Sequence, residues 1–332
     1  MQMVEAHACV AKHRYRHLRN HAPLAGFSID RCGDIRQSLS SCGTHRYQRW
    51  FFTDLLNTSM TALVVRRLLI DLTQPVDRHW CNGDPFLTAW FNALSMSFPV
   101  GEQFFIDAVR NGFKQLPEPE QAAFNTEIKG FIGQEATHRR IHALFNAQIE
   151  KHGLVNEWEP RARKRLRLLE GTDPRHSLAI TAANEHFTAL FAEWLLSHPT
   201  LLDGCEPRLK ALWQWHSAEE AEHKCTAFDL YQRLGGSHAW RTRWMRRVTL
   251  IFLADTLRQT ADNLKRDGTL WQWRTWRSAG RHLLGRNGLL RCTFKPWFAY
   301  FKPDFHPNQQ NSDLSSLWLN QNAQLYTKVE TA

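Results

Sequence analysis

Two Glu-x-x-His motifs in helical stretches constrain this chain more than any other feature. The first joins Glu135 to His138 in QEATHRRIHALFN, and the second joins Glu220 to His223 in WHSAEEAEHKCTAF. Side chains three residues apart lie on one face of a helix. One such motif arises by chance in many helices, but two of them predict that two helices present a carboxylate and an imidazole to a shared interior.

Two further glutamates lie in apolar surroundings in the stretches before each motif. Glu102 is flanked by phenylalanines in FPVGEQFF, and Glu185 is the lone acid in ITAANEHFTALF. The order Glu, Glu-x-x-His, Glu, Glu-x-x-His is the one that a dinuclear iron or manganese centre uses in a four-helix bundle. Buried carboxylates without a cation would cost several kcal/mol each unless protonated. The pattern therefore predicts a two-metal site, with Glu135 and Glu220 as bridging ligands.

Other polar residues near the motifs have more than one interpretation. His216 precedes Glu220 by one helical turn and is interpreted either as a further ligand or as a hydrogen-bond partner of one. His142 is expected outside the ligand set, bonded to a ligand or lining the pocket. Asp229 is expected to orient a ligand histidine. The two remaining acids of the motif are expected to face solvent or pair with arginines: Glu219 and Glu222.

Helix signals place the four motifs on four successive helices. Asp84-Pro85 and Asp173-Pro174 combine a capping residue with a first-turn proline. The helices are expected from 85 to about 116 with Pro99 inside, from about 119 to 152, from 174 to about 197, and from 207 to Gly235-Gly236. ALVVRRLLIDL (62–72) is interpreted as an extended or short helical entry. The fold class is predicted to be all-α, a four-helix bundle with additional basic C-terminal helices.

Three regions are expected along the chain. Residues 1–59 have weak periodicity and are predicted to be a poorly ordered extension, with Met60 as an alternative start. Residues 60–239 form the bundle, and 240–332 a basic, Trp-rich helical extension with an irregular tail that packs on it. Between Trp240 and Pro303 there are 14 lysines and arginines against three aspartates. This segment is interpreted as a solvated cap or as a peripheral contact with an anionic membrane surface, and no fold motif supports specific nucleic-acid binding.

Composition and missing motifs exclude several classes of protein. Seven cysteines without a CxxC pair favour reduced thiols in the cytoplasm over a disulfide framework. There is no secretory h-region, and no apolar run approaches the roughly 18–20 residues of a membrane span. The expected location is cytoplasmic, with peripheral binding at the inner face of the membrane as an option. No motif supports nucleotide binding, a nucleophile elbow or a thermolysin-type zinc protease.

The quoted motifs resemble a known family. FPVGEQFF, QEATHRRIHALFN, NEHFTALF and WHSAEEAEHKCTAFDLY are similar to a bacterial family described as predicted metal-dependent hydrolases, within the ferritin-like di-metal carboxylate superfamily. The resemblance runs from about Leu63 to Pro307. The string His216-x3-Glu220-x2-His223 also resembles the metal-binding helix of di-iron arylamine N-oxygenases, which have one histidine more than the usual set. By position, the resemblance implies seven ligands: Glu102, Glu135, His138, Glu185, His216, Glu220 and His223.

Two classes of enzyme follow from this ligand set. The first activates O2 with two Fe ions to oxidise or oxygenate an apolar or aromatic small molecule, since imidazole suits iron. The alternative, which the family description suggests, is two-metal-dependent hydrolysis. Mn/Fe or Zn are compatible with the same ligands. Metal storage is disfavoured because a basic, Trp-rich extension does not suit a closed shell, and the sequence holds no signal for oligomeric state.

Overall fold

The computed structural model describes residues 63–329, so the predicted extension 1–59 lies outside the described residues. The predicted all-α fold class is confirmed, since the described chain is mostly helical. The elements are β1 (Arg66–Leu68), α1 (Pro85–Phe113), α2 (Glu118–Lys151), α3 (Trp158–Leu166), α4 (Pro174–Ser197), α5 (Pro207–His223), α6 (Thr226–Arg233), α7 (His238–Arg266), α8 (Trp273–Ala279), α9 (Leu289–Ala299), α10 (Asp313–Gln321) and β2 (Tyr326–Lys328).

Four long helices carry the predicted motifs, and their starts match the capping signals in the sequence. The Asp84 carboxylate accepts a hydrogen bond from the backbone N–H of Leu87 at 3.0 Å, and α1 then continues through Pro99. Asp173 caps α4 in the same way. Helix α1 packs against α2 and α4, and α4 packs against α5, so the four helices share one interior.

The fourth predicted helix is shorter than the sequence suggested. It was expected to reach Gly235-Gly236, but α5 ends at His223 and a separate helix, α6, begins at Thr226. The side chain of Lys224 is buried and its ammonium donates to the carbonyl of Gln310 and the hydroxyl of Ser312, both at 2.7 Å. These distant contacts fix the turn immediately after the last predicted ligand.

A two-stranded sheet joins the two ends of the described chain. β1 pairs antiparallel with β2, with Arg66 opposite Lys328 and Leu68 opposite Tyr326. The extended option for residues 62–72 is therefore the correct one for β1. Sequence periodicity did not predict the pairing, because its partner strand lies at the other end of the chain. The sheet matters to the site because it places Arg66 against α5.

The later helices surround the four-helix core. Helix α7 packs along α1 and α4, α8 contacts α1, α9 contacts α4, and α10 packs on α5 and α4. Large aromatic side chains fill the centre between these layers, among them Phe91, Phe145, Trp213, Trp215 and Phe228. Among the described residues, no helix has the length and apolar character that crossing a membrane requires.

Candidate metal centre

All seven predicted ligands point into one buried cluster between α1, α2, α4 and α5. Each side chain is at most a few per cent exposed. Helix α1 supplies one residue, α2 two, α4 one and α5 three: Glu102; Glu135 and His138; Glu185; and His216, Glu220 and His223. The one-turn spacing of each Glu-x-x-His motif turns both of its side chains inward. The structure thus brings together residues that are up to 121 positions apart in the sequence.

The cluster divides into two halves. Ligand atoms of Glu102, His138 and His216 lie within 4.8 Å of one another and form the half that we call the cavity half. The other half, which we call the closed half, consists of Glu135, Glu185 and His223: the His223 Nε2 lies 3.2 Å from Glu135 and 3.3 Å from Glu185. Each half holds carboxylate oxygens and imidazole nitrogen in the mixture that iron, manganese and zinc accept.

Glu220 lies between the two halves. Its Oε1 is 2.8 Å from His216 Nε2 and 3.4 Å from His138 Nδ1, both in the cavity half. Its Oε2 is 3.5 Å from His223 Nε2 in the closed half. A carboxylate that bridges two cations needs one oxygen toward each cation, and Glu220 has this placement.

The atoms that face the centre of the cluster have no hydrogen-bond partner among the described residues. They are both carboxylate oxygens of Glu102, Glu135 and Glu185, Oε2 of Glu220, Nδ1 of His138 and Nε2 of His223. Buried polar atoms are almost always paired, and leaving so many unpaired in one place carries a large desolvation cost. Two cations would satisfy these atoms together, so the residues present fit a two-metal centre.

Each histidine uses its other ring nitrogen for a hydrogen bond to the protein. His138 Nε2 donates to Glu219 at 2.9 Å, and His223 Nδ1 donates to the Gln134 side-chain carbonyl at 2.9 Å. His216 Nδ1 is 2.7 Å from His142 Nε2. Such bonds fix the tautomer and ring orientation of a metal-binding histidine.

His142 extends the bond to His216 into a chain. With Nε2 accepting from His216, its Nδ1 donates to Ser95 Oγ at 2.9 Å, and Ser95 donates in turn to Asn146 at 2.7 Å. Burial and the neighbouring imidazole of His216 hold the pKa of His142 well below its usual range, so the ring stays neutral and can accept. The structure therefore places His142 outside the ligand set, bonded to His216 rather than lining the cavity described below.

Arg66 connects the partners of the other two histidines. Its guanidinium donates to Glu219 at 3.0 Å and to Glu222 at 2.8 and 3.0 Å, and Glu222 accepts from the Gln134 amide at 2.8 Å. Glu219 and Glu222 thus pair with an arginine, which was one of the two expectations. Glu219 does not face solvent, because it is fully buried and accepts a hydrogen bond from the predicted ligand His138. Neither Arg66 nor Gln134 belongs to a Glu-x-x-His motif that the sequence shows.

The role expected for Asp229 is wrong. Its carboxylate accepts a hydrogen bond from His306 at 2.7 Å on a partly exposed surface, rather than from a predicted ligand. The break after His223 places Asp229 on α6, and the partner of His223 is Gln134 on α2. The spacing of two turns between His223 and Asp229 would have brought them together only on an uninterrupted helix.

The pKa values of the buried carboxyl groups shift in opposite directions. Burial, together with the Glu135 carboxylate, raises the pKa of Glu102 well above its ordinary value, and burial raises that of Glu185 to about 8. Burial also works against ionisation of Glu220, but the surrounding histidines, His223 foremost, outweigh it and hold its pKa well below the usual range. Glu220 is therefore ionised, whereas Glu102 and Glu185 hold protons that cations would displace.

The pKa values of the imidazoles also shift in opposite directions. Burial opposes a charge on His138, but its hydrogen bond to Glu219 and the nearby carboxylate of Glu220 raise its pKa to about 10. His216 has the same burial and faces the positive charge of His138, so its pKa falls to about 4. A neutral His216 has a lone pair on Nε2, which is the state that a metal ion binds.

An apolar cavity of about 370 Å³ ends at the cluster of predicted ligands. It meets the cluster at His216 and Glu220, which are the members of the set that line it. Phe98 lies over this inner end, with its ring 4.6 Å from both His142 and His216. The remaining walls come from α1, α4, α5, α7 and α9 and include Trp90, Leu94, Phe187, Phe191, Trp213, Phe252, Leu253, Leu289, Leu290, Phe294 and Trp297.

Comparison with known proteins identifies a family. A family model described as predicted metal-dependent hydrolase matches residues 64–311, which is more than half of the chain and includes all seven predicted ligands. The resemblance to this family is thereby confirmed, and its description is that of a metal-dependent enzyme. No curated protein and no solved structure matches the chain. The placement in the ferritin-like superfamily and the likeness to N-oxygenases stay predictions.

Proposed function

The chain belongs to the family of predicted metal-dependent hydrolases, and we propose that it hydrolyses an apolar small molecule with two metal ions. One observation carries the proposal. Buried carboxylate oxygens and imidazole nitrogens without partners converge at the inner end of an apolar cavity. The cavity supplies a place for a substrate directly beside the atoms that would hold the metals, which is the arrangement expected of an active site.

The ligand set assigns each ion to one half of the cluster. Glu102, His138 and His216 would hold the ion of the cavity half, and Glu185 and His223 that of the closed half. Glu220, which has an oxygen toward each half, and Glu135, the carboxylate of the first motif, would bridge. When bound, two such ions lower the pKa of a water molecule and stabilise the negative charge that develops as an acyl or phosphoryl bond is cleaved.

The chain's own residues orient the substrate and keep the centre in one protonation state. The aromatic walls favour an apolar group and direct it to the side of the cluster at His216 and Glu220. Since Glu220 is held ionised by its neighbours, it does not compete for a proton near neutral pH. The chain through His142 and Ser95 keeps the Nε2 of His216 free of a proton.

O2-dependent oxidation of an apolar molecule by an iron-loaded centre is the second candidate function. Two observations favour it. Three histidines in the predicted ligand set suit iron, and the cavity that reaches one of them, His216, is almost wholly apolar, which keeps bulk water from the centre. Fe/Fe and Mn/Fe centres fall under this candidate, whereas a Zn-loaded protein falls under hydrolysis alone.

The two candidates are separated by whether the reaction needs O2. Protein purified anaerobically and loaded with Zn, Mn or Fe would be assayed with p-nitrophenyl esters of increasing acyl length. The proposal expects metal-dependent cleavage without O2, with longer acyl chains favoured by the apolar walls. The second candidate expects no cleavage but an optical change and O2 consumption when the Fe-loaded protein meets air.

Matched variants make this assay specific for the centre. Glu135→Gln removes the negative charge of a predicted bridge with little change in volume, whereas Glu150→Gln makes the same change at an exposed site on the same helix. Activity should be lost in the first variant and kept in the second. A wild-type protein that holds two ions but catalyses neither reaction would contradict both candidates.

A further inference from the structure

Helices α7 and α9 expose a set of large apolar side chains. Leu250 is 72% exposed, and Phe294 and Phe298 are 61% and 59% exposed. Together we call the exposed set the apolar face: Leu250, Ile251, Leu290, Phe294 and Phe298. Single exposed apolar residues are common, but a group of them on two adjoining helices marks a surface that another apolar phase covers.

The apolar face is continuous with the cavity that ends at the metal cluster. Leu290 and Phe294 belong to the face and also line the 370 Å³ cavity, so the cavity opens at α9. Ile251 lines a second apolar cavity of about 310 Å³, and the two cavities share the walls Phe98, Thr188 and Phe252. The Trp297 indole donates to the Thr249 hydroxyl at 3.1 Å, which holds α9 against α7 at this opening.

Basic residues adjoin the apolar face on both helices. Arg243 and Arg247 precede Leu250 at helical spacing, so the exposed side of α7 is basic in its early turns and apolar farther along. Over residues 63–329, Arg243, Arg246 and Arg247 form no ion pair. On α9, Arg291 and Lys295 are exposed beside Phe294 and Phe298. The segment between these helices also exposes tryptophans and arginines: Trp271, Trp273, Trp276, Arg274, Arg277 and Arg281.

We propose that the apolar face docks on an anionic lipid bilayer. Its apolar side chains would enter the boundary between headgroups and acyl chains, and the adjoining arginines would contact lipid phosphates. Charge complementarity selects the anionic surface, and the exposed Phe and Leu side chains select a lipid over a nucleic acid, whose backbone offers them no apolar contact.

Docking in this way also defines a substrate class. With the bilayer at α9, the cavity leads from the acyl chains of the membrane to His216 and Glu220. The substrate would then be a lipid with a long acyl or alkyl chain, which enters without crossing water. This second part rests on the proposed function, whereas the docking itself does not.

Co-sedimentation of the full chain with vesicles tests the docking. Vesicles of phosphatidylcholine alone and vesicles that contain phosphatidylglycerol would be compared at low and at high salt. Binding is expected with phosphatidylglycerol at low salt and should fall as salt rises. The triple variant R243E/R246E/R247E should bind on the order of 100-fold more weakly, since each arginine near an anionic surface contributes about fivefold.

A matched triple variant controls for overall charge. K129E/R140E/K151E makes the same change in charge at exposed positions of α2 and should bind like the wild type. The apolar contribution is tested by F294D/F298D against L144D/L317D, which introduces two acids at exposed leucines outside the apolar face. Metal content and melting temperature are measured for every variant, so that loss of fold is distinguished from loss of docking.

The outcomes separate docking from the proposed reaction. Loss of binding in R243E/R246E/R247E and in F294D/F298D, with metal content kept, supports the proposal. Wild-type protein that stays in the supernatant in all four conditions contradicts it, and so does equal loss of binding in K129E/R140E/K151E. Because metal content is read in the same samples, a protein that docks but holds no metal would contradict the proposed function alone.

Discussion

The two halves of the candidate metal centre differ in what lies beside them. Glu220 and His216 meet an apolar cavity, whereas neither apolar cavity described above is lined by Glu135, Glu185 or His223. In the closed half, the His223 ring packs at 5.1 Å against the buried Phe131 instead. The difference indicates separate roles for the two ions. The ion of the closed half would hold the bridging carboxylates in place. The ion of the cavity half would face the substrate.

Removing a predicted bridging carboxylate should have the largest effect on metal content, because both halves of the centre lose a shared ligand. Glu135→Ala and Glu220→Ala each leave the remaining buried ligands with too few shared oxygens to hold two cations near one another. We expect metal content to fall from two ions per chain to less than one and activity to be lost. Elemental analysis after anaerobic loading measures this, with Glu150→Ala as the exposed control. Two ions retained in both variants would show that the site is misassigned.

Filling the cavity should impair the cavity half alone. Thr188 lies in the wall shared by both apolar cavities, and Thr188→Phe would place a ring in that space. We expect turnover to fall about 10- to 100-fold, because an overpacked wall blocks approach to His216 while the ligands keep their partners. Metal content should be unchanged. A variant that loses metal along with turnover would argue against separate roles for the two halves.

Removing the hydrogen-bond partner of a predicted ligand histidine should have a smaller effect, which is a lower affinity for the ion of one half. Gln134→Ala removes the partner of His223, and His142→Ala removes that of His216. Loss of such a partner typically costs about 10- to 100-fold in metal affinity. Competition with a chelator should then show one weakened ion in each variant and one of wild-type affinity. If either variant weakens both ions equally, the halves are coupled more tightly than the geometry indicates.

The smallest expected effect is on the pH dependence of stability in the metal-free protein. Glu185, with a raised pKa of about 8, and His138, with one of about 10, both bind protons more tightly in the folded state. Their stabilising protons are lost as pH rises above neutrality, so the free energy of unfolding should decrease from about pH 7 to pH 9. Denaturant titrations at several pH values would measure this. Metal-loaded protein should have a flatter profile there, since cations replace those protons, and parallel profiles would count against metal binding at this cluster.

The sequence predicted the members of the cluster better than the residues that support them. The two Glu-x-x-His motifs and His216 follow from spacing within single helices, and Glu102 and Glu185 stand out as acids among apolar residues. Their partners depend on packing between elements. Arg66 lies 153 residues before Glu219 and reaches it from β1, which packs on α2 and pairs with β2. Gln134 immediately precedes a ligand and could have been suspected, but nothing local showed that it contacts His223.

The same reason explains two of the errors of sequence interpretation. The expected long fourth helix and the expected role of Asp229 both assumed a continuous helix after His223. The buried Lys224, held by Gln310 and Ser312, breaks that helix through contacts nearly ninety residues away. Capping residues and prolines signal where helices start, whereas a break imposed by tertiary contacts leaves no local pattern.

Anaerobic titration of the metal-free wild-type protein with Fe(II), Mn(II) or Zn(II) tests the central claim most directly. The number of ions bound per chain is read by calorimetry and checked by elemental analysis after desalting. A two-metal centre between α1, α2, α4 and α5 predicts saturation at two ions per chain, with proton release as Glu185 and His138 give up their protons. Saturation at one ion, or no binding above that of the Glu135→Ala/Glu220→Ala double variant, would contradict it.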